Sequence, residues 1–304
     1  MDMDWDCVVI GGGAAGLSAA LVLGRARRRV LVLDAGAQSN LAAHGIGGLL
    51  GHDGRPPAEL YEMGRKELQR YSTVKLRDKA VADARRVEGG FDVGLADGSR
   101  VGARRLLLAM GMEYRPPGVP GLSELWGSSV FHCPFCHGWE VRDRPLAVLA
   151  NGERAAHLAL LLSGWSDDIV VLTNGPADLT ADDVYRLTAA GIAIDERVVT
   201  ELVADDGELA AVGFGDGTRL PRAGLLTGIS LHQRTDLAAR LGVRFVPPNP
   251  VSSEIIEVDP MARTSVPGVF AAGDVCTPMP QVASAVAAGS MAAASIVTSL
   301  LEER

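Results

Sequence analysis

Residues 7–34 pack two strands, a helix and a glycine turn into a stretch that few folds accommodate. Cys7-Val8-Val9-Ile10 is a short apolar run of strand type. Gly11-Gly12-Gly13-Ala14-Ala15-Gly16 follows, then helix-forming residues 17–23, then a second apolar run, residues 30–33, ending at Asp34. Strand, Gly-x-Gly-x-x-Gly, helix, strand and acid within about 30 residues is the pattern of a dinucleotide-binding βαβ unit. The glycines differ in what they allow. Gly11 makes the tight turn, Gly13 admits a pyrophosphate to the backbone, and Gly16 lets the helix pack on the strand. Ala15 lies in the same cradle, at a helix N-terminus that favours phosphate. Asp34 is placed to bond ribose hydroxyls. Arg25, Arg27, Arg28 and Arg29 read as helix-end charge and a solvated turn.

A second constellation is Cys133-Pro134-Phe135-Cys136-His137. Thiols at i and i+3 share one helix face and can close into a disulfide. If they open a helix, its dipole favours a thiolate on Cys133, the attacking form. Half of a zinc site, an inert structural disulfide and c-type haem attachment are the competing readings. Zinc needs two more ligands, and the other two cysteines, Cys7 and Cys276, stand alone in apolar runs, so no metal is expected. Cys7 reads as a buried small hydrophobe, and Cys276 is assigned no chemistry.

Bulk properties narrow the function classes. At 304 residues the chain allows about two domains. A net charge of −8 argues against nucleic acid or an anionic membrane as partner. No apolar run is expected to reach the roughly 20 residues of a membrane helix. The acidic N-terminus is the wrong charge for a signal peptide. Four cysteines without a framework spacing suggest a reducing cytoplasm, where a disulfide is catalytic rather than structural.

Further strands end at glycine. Leu106-Leu107-Leu108-Ala109-Met110-Gly111 is one; Gly268-Val269-Phe270-Ala271-Ala272-Gly273-Asp274 is another, followed by a small-residue helix from Gln281. With the glycine fingerprint and the Cys-x-x-Cys between them, these motifs stand in the order of the low-molecular-weight thioredoxin reductase family, which nearly the whole chain resembles. The resemblance implies an α/β fold of two Rossmann-like three-layer domains. An FAD-binding domain (1–116 and 245–304) is split by an inserted second nucleotide-binding-like domain (117–244) carrying the Cys-x-x-Cys. It implies FAD at Gly11, Gly13, Ala15, Gly16, Asp34, Gly111, Gly273 and Asp274, with Gln281 and Val282 near the isoalloxazine ring, and a homodimer. Internal duplication fits: residues 146–149, a glycine turn, a helix and residues 169–172 repeat the opening βαβ pattern.

Two departures redirect the functional reading. The second glycine turn reads Ala150-Asn151-Gly152-Glu153-Arg154-Ala155, and residues 173–180 after the next strand contain no cation to clamp an NADPH 2′-phosphate. Losing such contacts costs about 1.5–3 kcal/mol per charged hydrogen bond. Asp178, Asp182 and Asp183 add negative charge there, so NADP(H) binding is doubtful, with Arg154 or Arg186 the cations that the fold could bring in to compensate. The second departure is His137, where thioredoxin reductases carry an aspartate. Cys-x-x-Cys-His with a weak NADPH turn resembles the dithiol oxidases of gliotoxin and holomycin type. That resemblance implies attack of a substrate thiolate on Cys133, resolution by the second substrate thiol, electron transfer from Cys136 to FAD, and oxygen as final acceptor. His137, with a near-neutral reference pKa, is the candidate proton acceptor. Glu140, His132 and His44 are possible pocket groups. The alternatives are an NADPH-dependent disulfide reductase and a flavin-binding redox sensor.

Overall fold

The computed structural model describes residues 3–302. The chain forms two compact units: Met1–Leu41, Leu49–Tyr114 and Ser230–Arg304 make unit 1, and Ala42–Gly48 and Arg115–Ile229 make unit 2.

In chain order the elements begin with β1 (Trp5–Ile10), α1 (Ala14–Arg25), β2 (Val30–Leu33), α2 (Pro57–Leu68), β3 (Val74–Arg77), β4 (Val81–Val87), β5 (Gly90–Leu95), β6 (Arg100–Leu108) and β7 (Met112–Arg115). Unit 2 continues with α3 (Leu122–Leu125), β8 (Val130–Phe131), α4 (Pro134–His137), β9 (Leu146–Leu149), α5 (Glu153–Leu162), β10 (Ile169–Leu172), α6 (Ala181–Ala189), β11 (Ala193–Asp195), β12 (Val199–Asp205), β13 (Glu208–Phe214), β14 (Arg219–Pro221) and β15 (Gly224–Thr227). The return to unit 1 supplies β16 (Ser230–Gln233), α7 (Leu237–Arg240), β17 (Val269–Ala271) and α8 (Val282–Leu301).

Unit 1 is built on a seven-stranded sheet of order β3-β2-β1-β6-β5-β4, with β17 also on β6. β3, β2, β1, β6 and β17 run parallel; β4 and β5 form an antiparallel flank. The short apolar runs are buried strands, as fits a parallel sheet covered on its faces. Cys7, Val9, Val30, Val32, Leu107 and Phe270 pack in one core with α1 and α8.

The packing of α8 corrects one expectation. Its 20 residues carry no charged side chain, so an uncharged run of membrane-spanning length does exist. Alanine, serine and glycine spread its apolarity thinly, which hides it from a search for Leu/Ile/Val blocks. Its length serves helix packing: a Cβ on Gly289 would strike the Ala15 carbonyl, and Ser18 Oγ donates to Val286 O at 2.7 Å.

Unit 2 has three layers. A parallel sheet of order β11-β10-β9-β15-β8 lies between helices and a three-stranded antiparallel sheet, β12-β13-β14. Alternation assigns the faces. Val148 and Val171 pack with Ala155, Ala159 and Leu187 of the helices, while Ala147, Leu149 and Val170 pack with Leu202, Val212 and Phe214.

Unit boundaries differ from those drawn on sequence. Residues 230–244, assigned there to the inserted domain, belong to unit 1, because β16 pairs with β7 and Arg240 Nη2 donates to Ala82 O at 2.9 Å. The short segment Ala42–Gly48 leaves unit 1 and joins unit 2.

Candidate active site

The glycine turn of unit 1 is shaped by close backbone approaches. Gly11 has φ +112°, and a side chain on it would strike the Ala109 carbonyl, because β6 ends directly beside it. A Cβ on Gly16 would strike the Gly11 carbonyl. Gly13 is the extended N-cap of α1, and a Cβ there would meet only Gln38 Cγ, at 3.6 Å. Among the described residues, α1 has no side-chain cap and no acidic residue in its first turn. Its first N–H groups, Ala15 included, therefore point to an open approach over Gly13, which fits a pyrophosphate.

Asp34 sits at the end of β2, 3% exposed. Its carboxylate accepts from the Gly36 N–H at 3.0 Å, from Gln38 Nε2 at 3.1 Å on each oxygen, and from Arg65 Nη2. Arg65 Nη1 also donates to Asp78 at 2.7 Å. The expected ribose acid thus stands at the strand end, but held by Gln38 and Arg65. Neither was named on sequence, since both lie outside the glycine motif, Arg65 on α2.

Gly273 (φ +83°) turns the chain out of β17 and delivers Asp274 into a half-buried polar cluster. Tyr114 Oη donates to Asp274 Oδ2 at 2.9 Å. Burial pushes the Asp274 pKa up, opposed by that hydrogen bond and by the charge of Arg234. Burial and Asp274 push the Tyr114 phenol up. Arg234 Nη2 donates to Ser39 Oγ at 2.7 Å, which donates to Met112 O at 2.6 Å. Tyr61 Oη donates to Asn40 Oδ1 at 2.7 Å beside them. Gly111 turns at φ +65°, and a Cβ on it would lie 4.0 Å from Arg234 Nε. Gln281 is the extended N-cap of α8, and Val282 its first residue. Sequence reading missed Tyr114 and Arg234; the alternation after Gly111 was the available signal for Tyr114.

Cys276 Sγ lies 3.2 Å from Gly273 O, its thiol pushed up to about 11 by burial and Asp274. Burial raises the Cys7 thiol further. Neither is a nucleophile at neutral pH.

Cys133 and Cys136 of unit 2 are joined in a disulfide, Cα atoms 5.3 Å apart. Cys133 is the extended N-cap of α4, and its carbonyl accepts the N–H of Cys136 at 3.1 Å and of His137 at 3.2 Å. The expected helix is a single turn, so dipole support for a Cys133 thiolate is correspondingly short. The segment Ala42–Gly48 passes over the pair: a Cβ on Gly47 would lie 2.7 Å from the Cys136 carbonyl. Exposed Phe135 and Trp139 flank the disulfide, with Arg142 3.7 Å over the Trp139 ring.

His137 stacks on Phe131, centroids 5.7 Å apart. Both its nitrogens are out of solvent contact, and among the described residues neither has a hydrogen-bond partner of normal geometry. Burial pushes its pKa down, against the influence of Glu140 and the backbone of Gly127 and Cys133. His44 contributes in the downward direction. His132 stacks on Trp126, and burial brings its pKa to about 4. At neutral pH both imidazoles are uncharged and can accept a proton.

The second glycine turn, between β9 and α5, is tied to the loop after β10 by Asn151. Its Oδ1 accepts the Gly152 N–H at 2.9 Å and the Asp178 N–H at 2.8 Å, and its Nδ2 donates to Pro176 O at 2.9 Å. Thr180 and Asp183 close the start of α6 in a capping box. Arg154 Nη1 donates to Ile229 O at 3.3 Å, and Arg186 pairs loosely with Asp183 at 3.9 Å.

Comparison with known proteins bears on both units. The model of the pyridine nucleotide-disulphide oxidoreductase family matches residues 5–292. The chain is 32% identical over 306 residues to thioredoxin reductase aclD of Aspergillus oryzae, covering 97% of this chain and 96% of that one. It is similar to the crystal structure of an oxidoreductase from Agrobacterium tumefaciens, with 39% identity, TM-score 0.92, and coverage of 99% of this chain and 100% of that one. It is also similar to the crystal structure of HlmI, with 38% identity, TM-score 0.92, and coverage of 98% and 93%.

Proposed function

The chain belongs to the pyridine nucleotide-disulphide oxidoreductase family, and on that premise we propose that it is an FAD-dependent dithiol oxidase. It closes a disulfide in a small molecule or peptide, with oxygen as electron acceptor. The family implies a flavin, and the open approach over Gly13, the glycine contacts and the uncapped α1 fit one. Gly11, Gly13, Ala15 and Gly16 would hold its pyrophosphate, Asp34 its adenosine ribose, and Gly111, Gly273 and Asp274 its ribityl part. Gln281 and Val282 would flank the ring.

The chain's own residues carry the thiol chemistry. A substrate thiolate attacks Cys133 Sγ, forming a mixed disulfide and releasing the Cys136 thiolate. The second substrate thiol displaces Cys133, so the substrate leaves as a disulfide and two electrons remain on the cysteine pair. Neutral His137, adjacent to Cys136, accepts a thiol proton. FAD, when bound, would supply the two-electron acceptor for the Cys133–Cys136 dithiol, with oxygen as the final acceptor. Four cysteines in the whole chain support a reducing cytoplasm, and a homodimer is the accompanying expectation.

The observation that carries this reading is the Asn151 tie across the second glycine turn, beside a loop without a phosphate-clamping cation. It argues that electrons enter from a dithiol rather than from NADPH. The reductase reading keeps support from the aclD relative's name. Anaerobic mixing of FAD-loaded protein with a small dithiol tests the route: bleaching of the flavin in the wild type and none in Cys136→Ser is expected. Bleaching that survives Cys136→Ser contradicts the cysteine path.

A further inference from the structure

Four chain segments converge where unit 1 would take its cofactor. Ser39 follows β2, Gly111 and Tyr114 follow β6, Arg234 follows β16 and Asp274 follows β17. The C-terminal ends of parallel strands are where open α/β sheets bind ligands. Asp274 is half-buried there, with the neutral Tyr114 hydroxyl donating to it at 2.9 Å. Desolvation of a carboxylate held by one neutral donor shifts it toward its protonated form, and a protonated carboxyl loses half its accepting capacity. Arg234 directly follows β16, which pairs with β7, the strand whose Tyr114 bonds Asp274. Its charge therefore stands on the same strand pair as that hydroxyl and favours the Asp274 carboxylate. Arg234 is fixed through Ser39 Oγ, at 2.7 Å, to the Met112 carbonyl. Gly111 stands beside its guanidinium, since a Cβ there would lie at contact distance, 4.0 Å, from Nε.

We propose that Arg234 is a positioning residue of the flavin site: tethered by Ser39, it is the counter-charge that keeps the half-buried Asp274 carboxylate a hydrogen-bond acceptor for the cofactor. This rests on the FAD assignment above. The same positive charge offsets the negative charge that a flavin gains on reduction, so it raises the flavin's midpoint potential. A tether without electrostatic effect is the competing role. The two separate because lysine keeps the charge and loses the fork, whereas Ser39→Ala keeps the charge and loses the tether.

The experiment uses the FAD-loaded full chain as wild type, Arg234→Met, Arg234→Lys and Ser39→Ala. FAD dissociation constants come from flavin fluorescence, and midpoint potentials from dye-coupled reduction. Arg234→Met is expected to weaken FAD binding by roughly tenfold and to shift the potential negative. Arg234→Lys recovers most of both, and Ser39→Ala moves both less than the methionine variant. Arg234→Gln takes the place of methionine if that variant does not fold. An uncharged variant within about twofold of wild type in FAD binding, with unchanged potential, overturns the proposal. So does a Ser39→Ala protein that matches it while Arg234→Lys rescues nothing. Wild-type protein that takes up no FAD overturns the cofactor assignment and this proposal together.

Discussion

Asn151 Oδ1 accepts the backbone N–H of Asp178 at 2.8 Å, fastening the second glycine turn to the loop after β10. The same side chain bonds Gly152 within the turn and Pro176 of that loop, so three hydrogen bonds fix Asn151 where the family's phosphate-binding glycine turn stands. Calorimetric titration of the FAD-loaded protein with NADPH is therefore expected to show no saturable heat below about 1 mM, the affinity left by about 4 kcal/mol of binding. Asn151→Ala should cost about 1 kcal/mol, seen as a melting temperature lower by a few degrees.

His132 makes stability depend on acidic pH. Its pKa falls from 6.5 to about 4 on burial, so the fold holds it neutral while the unfolded chain binds a proton. Its contribution is complete above about pH 6.5 and is lost as pH falls toward 4, by up to about 3 kcal/mol. Urea unfolding at pH 7.5 and pH 4.5 measures the drop. His132→Phe, which keeps a ring against Trp126, should flatten it.

His137 has the opposite experimental signature, in rate rather than stability. With its pKa pushed down by burial, it is a neutral base at pH 7, and dithiol turnover should hold level as pH falls from 8 to the ordinary histidine range near 6.5. His137→Phe keeps the stack on Phe131 and removes the base; kcat/KM at pH 7 should drop roughly 10²-fold. A rate unchanged by that substitution contradicts the proton-transfer role.

Gly289 and Ala15 bring α8 against α1 with no room for a methyl group, since a Cβ would strike the Ala15 carbonyl. Gly289→Ala should destabilise unit 1 by about 1–3 kcal/mol. Because Ala15 belongs to the proposed phosphate cradle, the variant should also release FAD more readily, read as free flavin fluorescence during a thermal ramp.

The βαβ repeats, the strand ends at Gly111 and Gly273, and the one-turn helix at Cys133 were legible because each is local: period, glycine position and spacing are written within 30 residues. What escaped is long-range. Arg234 reaches Ser39 across 195 positions, and Gly47 lies under Cys136 although 89 positions separate them. Asp34 could be read as the end of β2, but its Arg65 partner comes from a helix with no motif. The second turn could be read as Ala150-Asn151-Gly152, but the Asn151 bonds to Asp178 and Pro176 depend on a loop that folds back from beyond β10.

Oxygen uptake and flavin bleaching with NADPH against a small dithiol, measured on the same FAD-loaded protein, test the central claim most directly. A dithiol should bleach the flavin and then drive oxygen consumption with one hydrogen peroxide per disulfide formed, while NADPH does neither. Rapid bleaching by NADPH, with electrons passed on to a protein disulfide and none to oxygen, would contradict the account.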